Sequence, residues 1–560
     1  PFEVLIKDNS STITFSDVYA GDVWIASGQS NMAWKLSNVN NAETEIKNAD
    51  IPLIRMFYIE NRISDVPLDD LESGRWNICT PDVARDFSAV AYFFGRSLHQ
   101  DKNIPVGLID ATWGGTPAEA WTSKEMLFTM GDFNDRIMEI EENRDFLKTV
   151  EENEALNRRR SVAIIESFRG LELGVTDPDY NDESWEKIEL PNTDNLIPQI
   201  TWFRKTFEMP SFKKQSSFQL RLGRVSDNPV IYLNGKEAGR GEGSKYVNIE
   251  IPGRLLRKGK NVITVRVANG WRNRVTFMGP ETEMLINDSE NKVKVALNGE
   301  WKYNNQLEEL FPEDVIRYSH YPCVLFNGMI NPVLLYTLTG AIWYQGESNA
   351  GRAYQYRTLF PKMIEDWRVR WGQGYFPFLF VQLANFETRQ RDPGESDWAE
   401  LREAQLMTLK YPNTGMAVII DIGEADDIHP RNKQDVGGRL YLAAKKIAYG
   451  EDIIYSGPIY RRMKVKGSKI ELEFNNTGSG LVLKNNNSGS GFAIAGKDKK
   501  FFWADAEVVN NKVVISSEKV KDPVAIRYAW DKNPVSTLYN NEGLPASPFR
   551  TDSWKGITER

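Results

Sequence analysis

The chain has 560 residues, of which 41% are hydrophobic and 26% are charged, and its formal net charge is −8. This composition is typical of a soluble globular protein and excludes disorder as the dominant state. The acidic balance argues against a nucleic-acid-binding surface, which needs a basic face. No stretch predicts a membrane span, because the longest apolar one, near residues 329–344, is interrupted by Asn331, Pro332, Thr337 and Thr339.

Cysteine and histidine are scarce. The two cysteines, Cys79 and Cys323, provide no disulfide framework, and the sequence leaves open whether they pair. There are three histidines, His99, His320 and His429, and no Cys/His zinc spacing, which argues against a multi-histidine metal site. If histidine chemistry occurs, one of these three residues performs it, and we take His99 and His320 as structural.

Short, continuously apolar runs predict buried parallel strands at 23–26, 106–109, 341–344, 378–383 and 416–420. Helical periodicity follows at 87–98 and at 436–447, the latter after Pro430, which suits a helix's first turn. This alternation predicts an α/β fold with a doubly wound, flavodoxin-like parallel sheet. Its site is expected at the carboxyl ends of the strands.

Two other regions show an all-β pattern. Between about 171 and 287, alternating runs surround turn signals such as Asn234-Gly235, which predicts a hairpin within an inserted β-sandwich. The predicted organisation is a remnant β-domain at 1–20, a first α/β part at 21–168, the insert at 169–295, a second α/β part at 296–450 and a β-rich domain at 451–560. The charged stretch at 137–168 is interpreted as a solvated helical connector.

Ser30 is the first candidate catalytic residue. It follows the predicted strand at 23–26, and Gly28 allows a tight exit from that strand. A helix N-terminus after the serine would favour negative charge there. A serine hydroxyl needs a neighbouring base to become a nucleophile, and a serine at this place is also a common helix cap.

The second candidate is the segment Asp426-Asp427-Ile428-His429-Pro430 after the last predicted strand. A carboxylate three residues before a histidine can orient the imidazole, although Asp427 could equally cap the following helix. Because both segments leave the same edge of one sheet, Ser30, Asp426 and His429 form a plausible triad in the order Ser, Asp, His.

Two loops at the same edge are candidates for binding an oxyanion. In Trp113-Gly114-Gly115-Thr116, the glycines let a backbone N–H approach a developing negative charge. In the loop at 345–349, Gln345 or Asn349 could supply a side-chain amide, and Glu347 could anchor the loop.

Together these motifs resemble the SGNH hydrolase superfamily, and within it the sialate O-acetylesterases. The resemblance is carried by Gly28-Gln29-Ser30-Asn31, Trp113-Gly114-Gly115-Thr116, Gln345-Gly346-Glu347-Ser348 and Asp426-x-x-His429, and it covers nearly the whole chain. It implies a galactose-binding-like insert and a longer N-terminal β-domain than this chain carries. The third motif departs from the simpler SGNH enzymes, which have asparagine there.

The resemblance implies a serine esterase that removes O-acetyl groups from sialic acids, most often at the 9-position, without metal or organic cofactor. Ser30 would be the nucleophile, His429 the base and Asp426 its orienting acid. The N–H groups of Ser30 and Gly114 and the side chain of Gln345 would bind the oxyanion. The partner would be an O-acetylated sialic acid or another acetylated glycan, and location outside the cytoplasm, secreted or periplasmic, is expected from that substrate.

The sequence contains further candidates for contact with substrate, and it does not fix their geometry. Trp113 and Trp343 could wall a small acetyl pocket, Asn349 could contact substrate, and Arg352 or Arg402 could pair with a sialic acid carboxylate. Two alternatives stay open: an acetylesterase of other glycans such as acetyl-xylan, and a glycan-binding protein with an inactive hydrolase core. The sequence determines neither the oligomeric state nor whether the insert binds sugar.

Overall fold

A computed structural model describes residues 1–8, 10–226, 229–241, 246–270, 274–290, 292–312, 314–484 and 489–559, with the side chains of 193–196 left out. The chain divides into two compact units. The first contains Pro1–Phe146 and Tyr318–Arg560, and the second contains Leu147–Arg317.

The first unit begins with an exposed antiparallel hairpin, which matches the strands expected in the first 20 residues. The elements up to the unit boundary are β1 (Phe2–Lys7), β2 (Thr12–Val18), β3 (Asp22–Gly28), α1 (Ala42–Lys47), β4 (Ile51–Tyr58), β5 (Trp76–Cys79), α2 (Pro81–Arg85), α3 (Ala89–Lys102), β6 (Val106–Thr112), α4 (Lys124–Phe128) and α5 (Asn134–Glu142).

The second unit starts with the charged helical stretch and continues as β-structure. Its elements are α6 (Phe146–Glu166), α7 (Arg169–Glu172), β7 (Glu186–Leu190), β8 (Asn192–Pro198), β9 (Thr201–Met209), β10 (Ser217–Val225), β11 (Val230–Leu233), β12 (Lys236–Arg240), β13 (Tyr246–Pro252), β14 (Gly259–Val267), β15 (Arg274–Met278), β16 (Met284–Asp288), β17 (Lys294–Ala296) and β18 (Gly299–Asn304).

The strands of this unit form two antiparallel six-stranded sheets that share one apolar core. One sheet has the order β12-β11-β14-β9-β18-β7, and the other contains β17-β16-β10-β15-β8 with β13 paired to β10. Phe203 from the first sheet packs edge-on against Phe277 from the second, with ring centroids 4.9 Å apart. The predicted Asn234-Gly235 hairpin is confirmed: both residues have positive φ, as a two-residue turn between β11 and β12 requires.

The first unit then resumes with the remaining α/β elements and a β-rich end. These elements are β19 (Gly340–Tyr344), α8 (Ala353–Trp371), β20 (Phe378–Val381), α9 (Asp397–Thr408), β21 (Thr414–Ala417), α10 (Lys433–Ile447), β22 (Ile459–Lys466), β23 (Lys469–Asn475), β24 (Leu481–Leu483), β25 (Phe492–Ala495), β26 (Phe501–Trp503), β27 (Asp505–Val509), β28 (Lys512–Ser516), β29 (Ala525–Tyr528), β30 (Leu538–Asn540) and β31 (Phe549–Arg550).

A seven-stranded sheet organises the first unit. Its order is β21-β20-β19-β3-β6-β4-β5, and all neighbouring pairs are parallel except β4 and β5. The five predicted strands are confirmed, although β21 begins and ends a few residues before the predicted 416–420. Strand β4 was not predicted from the sequence, because Pro52 and Arg55 interrupt its apolar run.

The C-terminal region is β-rich, as predicted. Two four-stranded antiparallel sheets, β22-β23-β28-β27 and β26-β25-β29-β31, accompany the pair β24-β30. Both predicted helices are also present as α3 and α10. However, α10 begins at Lys433 with Asn432 as its cap, so neither Pro430 nor Asp427 starts that helix.

The two cysteines are free thiols in the interior. Cys79 and Cys323 are both buried and unpaired, and burial raises the pKa of each thiol to about 12. Among the helices of the described ranges, none combines the length and apolar character that a bilayer crossing requires.

Candidate active site

Ser30 sits in a tight turn directly after the central strand β3. The turn is possible because Gly28 has φ 135°, and a Cβ there would lie 2.2 Å from the carbonyl oxygen of Tyr344. The Gln29 N–H donates to that same carbonyl at 3.0 Å, while the N–H groups of Met32 and Ala33 donate to Gln29 O. The expected helix N-terminus at Ser30 is therefore wrong, since the chain makes a closed turn there.

His429 lies against Ser30 from the loop between β21 and α10. Its Nε2 is 2.8 Å from Ser30 Oγ, a hydrogen-bonding distance at which the ring can accept the hydroxyl proton. Trp34 stacks on the imidazole, with ring centroids 4.8 Å apart and planes inclined by 12°. The tertiary fold thus brings together two predicted residues that are 399 positions apart in sequence.

The carboxylate beside the imidazole is that of Asp427. Asp427 Oδ1 accepts the backbone N–H of His429 at 2.9 Å and lies 3.6 Å from Nδ1. Asp426 is exposed, and across the described ranges its side chain makes no hydrogen bond or ion pair. The expected contact between Asp426 and His429 is therefore corrected to Asp427, because the turn directs the carboxylate two residues before the histidine toward the ring.

The surroundings favour a neutral imidazole. Burial lowers the pKa of His429 below its ordinary 6.5, and the nearby Lys433 ammonium lowers it further, while Asp427 acts in the opposite direction. A neutral imidazole is the form that can accept a proton from serine. At neutral pH the His429 imidazole is therefore mainly in the form that can accept a proton from a hydroxyl group.

Two backbone N–H groups are available beside the serine. A Cβ placed on Gly114 would lie 3.4 Å from Ser30 Cβ, so the two turns are in close contact. Over the ranges that the structure describes, neither the Ser30 nor the Gly114 N–H donates to another group. Free, fixed donors next to a nucleophile are what an oxyanion requires.

Gln345, by contrast, has no free amide for an oxyanion. Its side chain is fully buried. Its Nε2 donates to Thr116 O at 3.2 Å and to Asn349 Oδ1 at 2.7 Å, and its Oε1 accepts from Tyr356 at 2.9 Å. Asn349 is equally committed, since Oδ1 also accepts the Ala118 N–H and Nδ2 donates to a carboxylate. Both predicted site residues therefore brace the loops instead of facing a substrate.

A buried polar network that was not predicted from the sequence lies next to Ser30. Asn31 Nδ2 donates to Glu347 Oε1 at 2.7 Å and to Ile428 O at 3.0 Å, and Asn31 Oδ1 accepts from Lys433 Nζ. Burial lowers the pKa of Lys433 to about 7 and raises that of Glu347. The network ties the turn of Ser30 to the loop of His429, and it gives Glu347 the anchoring role that was expected.

The remaining substrate-binding candidates differ in their surroundings. Trp113 is half-buried directly before Gly114 and stays a candidate. Trp343 is fully buried in β19 among Trp121 and Trp367, so its predicted place in an acetyl pocket is wrong.

The two candidate arginines also differ in burial and in their hydrogen-bond partners. Arg352 is partly exposed but ion-paired with Glu119 at 2.6 Å. Arg402 is fully buried and donates to four backbone carbonyl oxygens, which excludes contact with a substrate carboxylate.

The chain is similar to several known esterases. A family model described as carbohydrate esterase, sialic acid-specific acetylesterase, matches residues 324–445, the segment that carries His429. The sialate O-acetylesterase of Mus musculus is 26% identical over 98% of this chain and 81% of its own length. The Homo sapiens protein of that name is 24% identical over 98% of this chain and 79% of its own length.

The chain is an esterase related to the sialate O-acetylesterases. A solved carbohydrate acetylesterase from Xanthomonas citri is also similar to it, with 28% identity and a TM-score of 0.63 over 99% of this chain and 86% of that one. The resemblance to the sialate O-acetylesterases that the motifs indicate is thereby confirmed. In this esterase, the contacts of Asp427, Asn31 and Lys433 were not predicted from the sequence, because only the tertiary fold places these side chains beside Ser30 and His429.

Proposed function

We propose that the esterase removes O-acetyl groups from sialic acids, with the 9-O-acetyl group preferred, through an acetyl-serine intermediate on an SGNH-type doubly wound domain. The observation that carries this proposal is the 2.8 Å approach of His429 Nε2 to Ser30 Oγ beside two free backbone N–H groups. The paired helices α3 with α10 and α8 with α9 are interpreted as covering the sheet. The two-sheet body of the second unit is interpreted as the inserted β-sandwich.

In the first half-reaction, Ser30 Oγ attacks the acetyl carbonyl carbon while its proton moves to His429 Nε2. The carbonyl oxygen becomes an oxyanion held by the N–H groups of Ser30 and Gly114. When this intermediate collapses, the bond to the sugar oxygen breaks, and His429 returns the proton to the leaving alcohol. Asp427 stabilises the imidazolium that exists between these two proton transfers.

In the second half-reaction, water replaces the sugar alcohol. A water oxygen attacks the acetyl-serine carbonyl while His429 accepts a proton from that water. The N–H groups of Ser30 and Gly114 hold the new oxyanion. Collapse breaks the bond to Ser30 Oγ, which regains its proton from His429, and acetic acid leaves and ionises to acetate. Each fixed oxyanion donor typically lowers such barriers by about 3–4 kcal/mol.

Ser30→Ala tests the proposal. We expect kcat on p-nitrophenyl acetate and on 9-O-acetylated sialic acid to fall by roughly 10⁴-fold or more, as when a triad member is removed. Ser97→Ala, which deletes a hydroxyl that donates to Phe93 O on α3, is the matched control and should retain activity. Equal activity of Ser30→Ala and the wild type would exclude Ser30 as the nucleophile.

The substrate choice needs its own comparison. We expect acetate release from 9-O-acetylated sialic acid to exceed release from acetyl-xylan in kcat/KM. The reverse order would favour the alternative, a general glycan acetylesterase on the same machinery. Binding of glycans without any turnover would favour the second alternative, a glycan-binding protein with an inactive core.

A further inference from the structure

A cleft of about 440 Å³, lined by charged, polar and apolar residues, opens beside the loop that follows β20. Residues of that loop line one wall, and the C-terminal β-region lines the other. The residues that matter for its chemistry are Arg389, Arg391, Ser490, Gly491, Trp503 and Asp505. Its volume lies within the range of small-molecule sites, which is about 300–1,000 Å³.

Trp503 presents a fixed aromatic surface in this cleft. It ends β26, a strand at the edge of its sheet, and 43% of the residue is exposed. Its indole Nε1–H donates to the carbonyl oxygen of Arg391 at 2.9 Å, which holds the ring in place. Among the described residues, no aromatic ring packs against the Trp503 indole and no cation lies over it. An immobilised, exposed indole is suited to stacking on the apolar face of a sugar ring.

Charged groups of both signs line the same cleft as this ring. Arg391 and Asp505 are exposed, and neither side chain has a hydrogen-bond or ion-pair partner among the described residues. Arg389 is exposed as well, and its Nε donates to Asn533 O at 3.3 Å. A free guanidinium can bind a carboxylate through two parallel hydrogen bonds, and a free carboxylate can accept from sugar hydroxyls.

The wall of the cleft is connected directly to the catalytic loop. Asn385 Oδ1 accepts the Gly423 N–H at 2.7 Å, and the Glu387 N–H donates to Ala425 O at 3.0 Å, four residues before His429. On its other side the same loop is held by the Gln390 N–H, which donates to Asp531 Oδ2 at 3.0 Å. The loop that lines the cleft is therefore hydrogen-bonded to the segment that leads to His429.

We infer that this cleft is a glycan subsite, in which Trp503 stacks on a sugar ring and Arg391 pairs with a carboxylate of the same glycan. The inference rests on the proposed function, since it assigns the part of an acetylated acidic glycan that lies beyond the reacting ester. A small acetyl ester reaches Ser30 without filling the cleft. The subsite therefore raises kcat/KM for glycan substrates and leaves kcat/KM for simple esters unchanged.

The test compares two substrates in each variant: p-nitrophenyl acetate and a 9-O-acetylated sialyl-trisaccharide. We expect Trp503→Ala and Arg391→Ala each to lower the ratio of kcat/KM, trisaccharide over simple ester, by roughly tenfold, the size of one stacking or charge-assisted contact. The Arg391→Ala effect should disappear when the sialic acid carboxylate is methyl-esterified. Tyr375→Ala and Arg461→Ala, which remove exposed residues elsewhere, should leave the ratio unchanged.

An unchanged ratio in Trp503→Ala and Arg391→Ala, with an active wild type, would overturn the subsite and leave the proposed function intact. Loss of all wild-type turnover, or full activity of Ser30→Ala, would overturn the proposed function. The subsite is then judged by calorimetric titration of the wild type with the de-acetylated sialyl-trisaccharide. Binding that weakens about tenfold in Trp503→Ala supports it, and equal or absent binding excludes it.

Discussion

At the residue scale, the site depends on which of two adjacent aspartates faces the imidazole. A family motif places the acid three residues before the histidine, whereas the loop geometry turns Asp427 toward Nδ1 at 3.6 Å and leaves Asp426 exposed. The two residues have the same chemistry, so no property of the sequence alone distinguishes them. Only the backbone dihedral angles of the loop determine which carboxylate lies next to the imidazole ring.

Replacing each aspartate by asparagine separates the two assignments. Asp427→Asn should lower kcat on p-nitrophenyl acetate by roughly 10²-fold or more, because the imidazolium loses its stabilising carboxylate. Asp426→Asn is the matched control and should stay within about twofold, as an exposed substitution normally does. The opposite order of effects would mean that Asp426 occupies the catalytic position during turnover.

The pH dependence of kcat/KM follows from the state of His429. Its pKa lies below 6.5 because burial disfavours the imidazolium, and only the neutral form can accept a proton from Ser30 as proposed. We expect activity to be constant at neutral pH and to fall as pH decreases through a midpoint below 6.5. Asp427→Asn should move that midpoint lower, since it removes the carboxylate that raises the pKa. A wild-type midpoint above 6.5 would contradict the buried, neutral imidazole.

At the scale of elements, the first residue of α10, Lys433, connects that helix to the turn that carries Ser30. Lys433 is fully buried and donates to Asn31, which in turn donates to Glu347 in the loop after β19. Three elements thus meet in one buried polar network. Its members hold each other in place, so removal of one leaves the others without partners.

Lys433→Met should destabilise the protein by about 1–3 kcal/mol, the usual cost of an unsatisfied buried polar group, and lower its Tm. It should also raise the midpoint of the pH profile, because the cation that depresses the pKa of His429 is gone. Lys446→Met on the same helix removes only a surface ion pair to Asp452 and serves as the control. Unchanged Tm and unchanged midpoint in Lys433→Met would exclude the network as a support of the site.

At the scale of the whole molecule, two units with separate cores are encoded in one chain. The second unit has its own two-sheet core, and the first has the mixed seven-stranded sheet together with the C-terminal sheets. Both cysteines lie in the first unit and are buried there. Their reactivity therefore reports on the opening of that unit.

We expect both thiols to react with Ellman's reagent without prior reduction once the protein is denatured in guanidinium chloride. In the native protein at pH 8, burial and a pKa of about 12 should leave labelling at under roughly a tenth of that rate. Fewer than two thiols in the unreduced, denatured protein would contradict the free cysteines. Rapid native labelling would contradict their burial.

The sequence by itself determined the buried parallel strands, the Asn234-Gly235 hairpin, the β-rich regions and the pairing of Ser30 with His429. Each of these depends on local signals: apolar runs, turn residues, and motifs that follow strands whose carboxyl ends share one edge. The tertiary structure alone decided that Asp427 replaces Asp426, that Gln345 and Asn349 brace loops, and that Trp343 and Arg402 lie in the core. It did so because burial and hydrogen-bond partners come from residues far apart in the chain, and local patterns carry no information about which side of a loop faces the site.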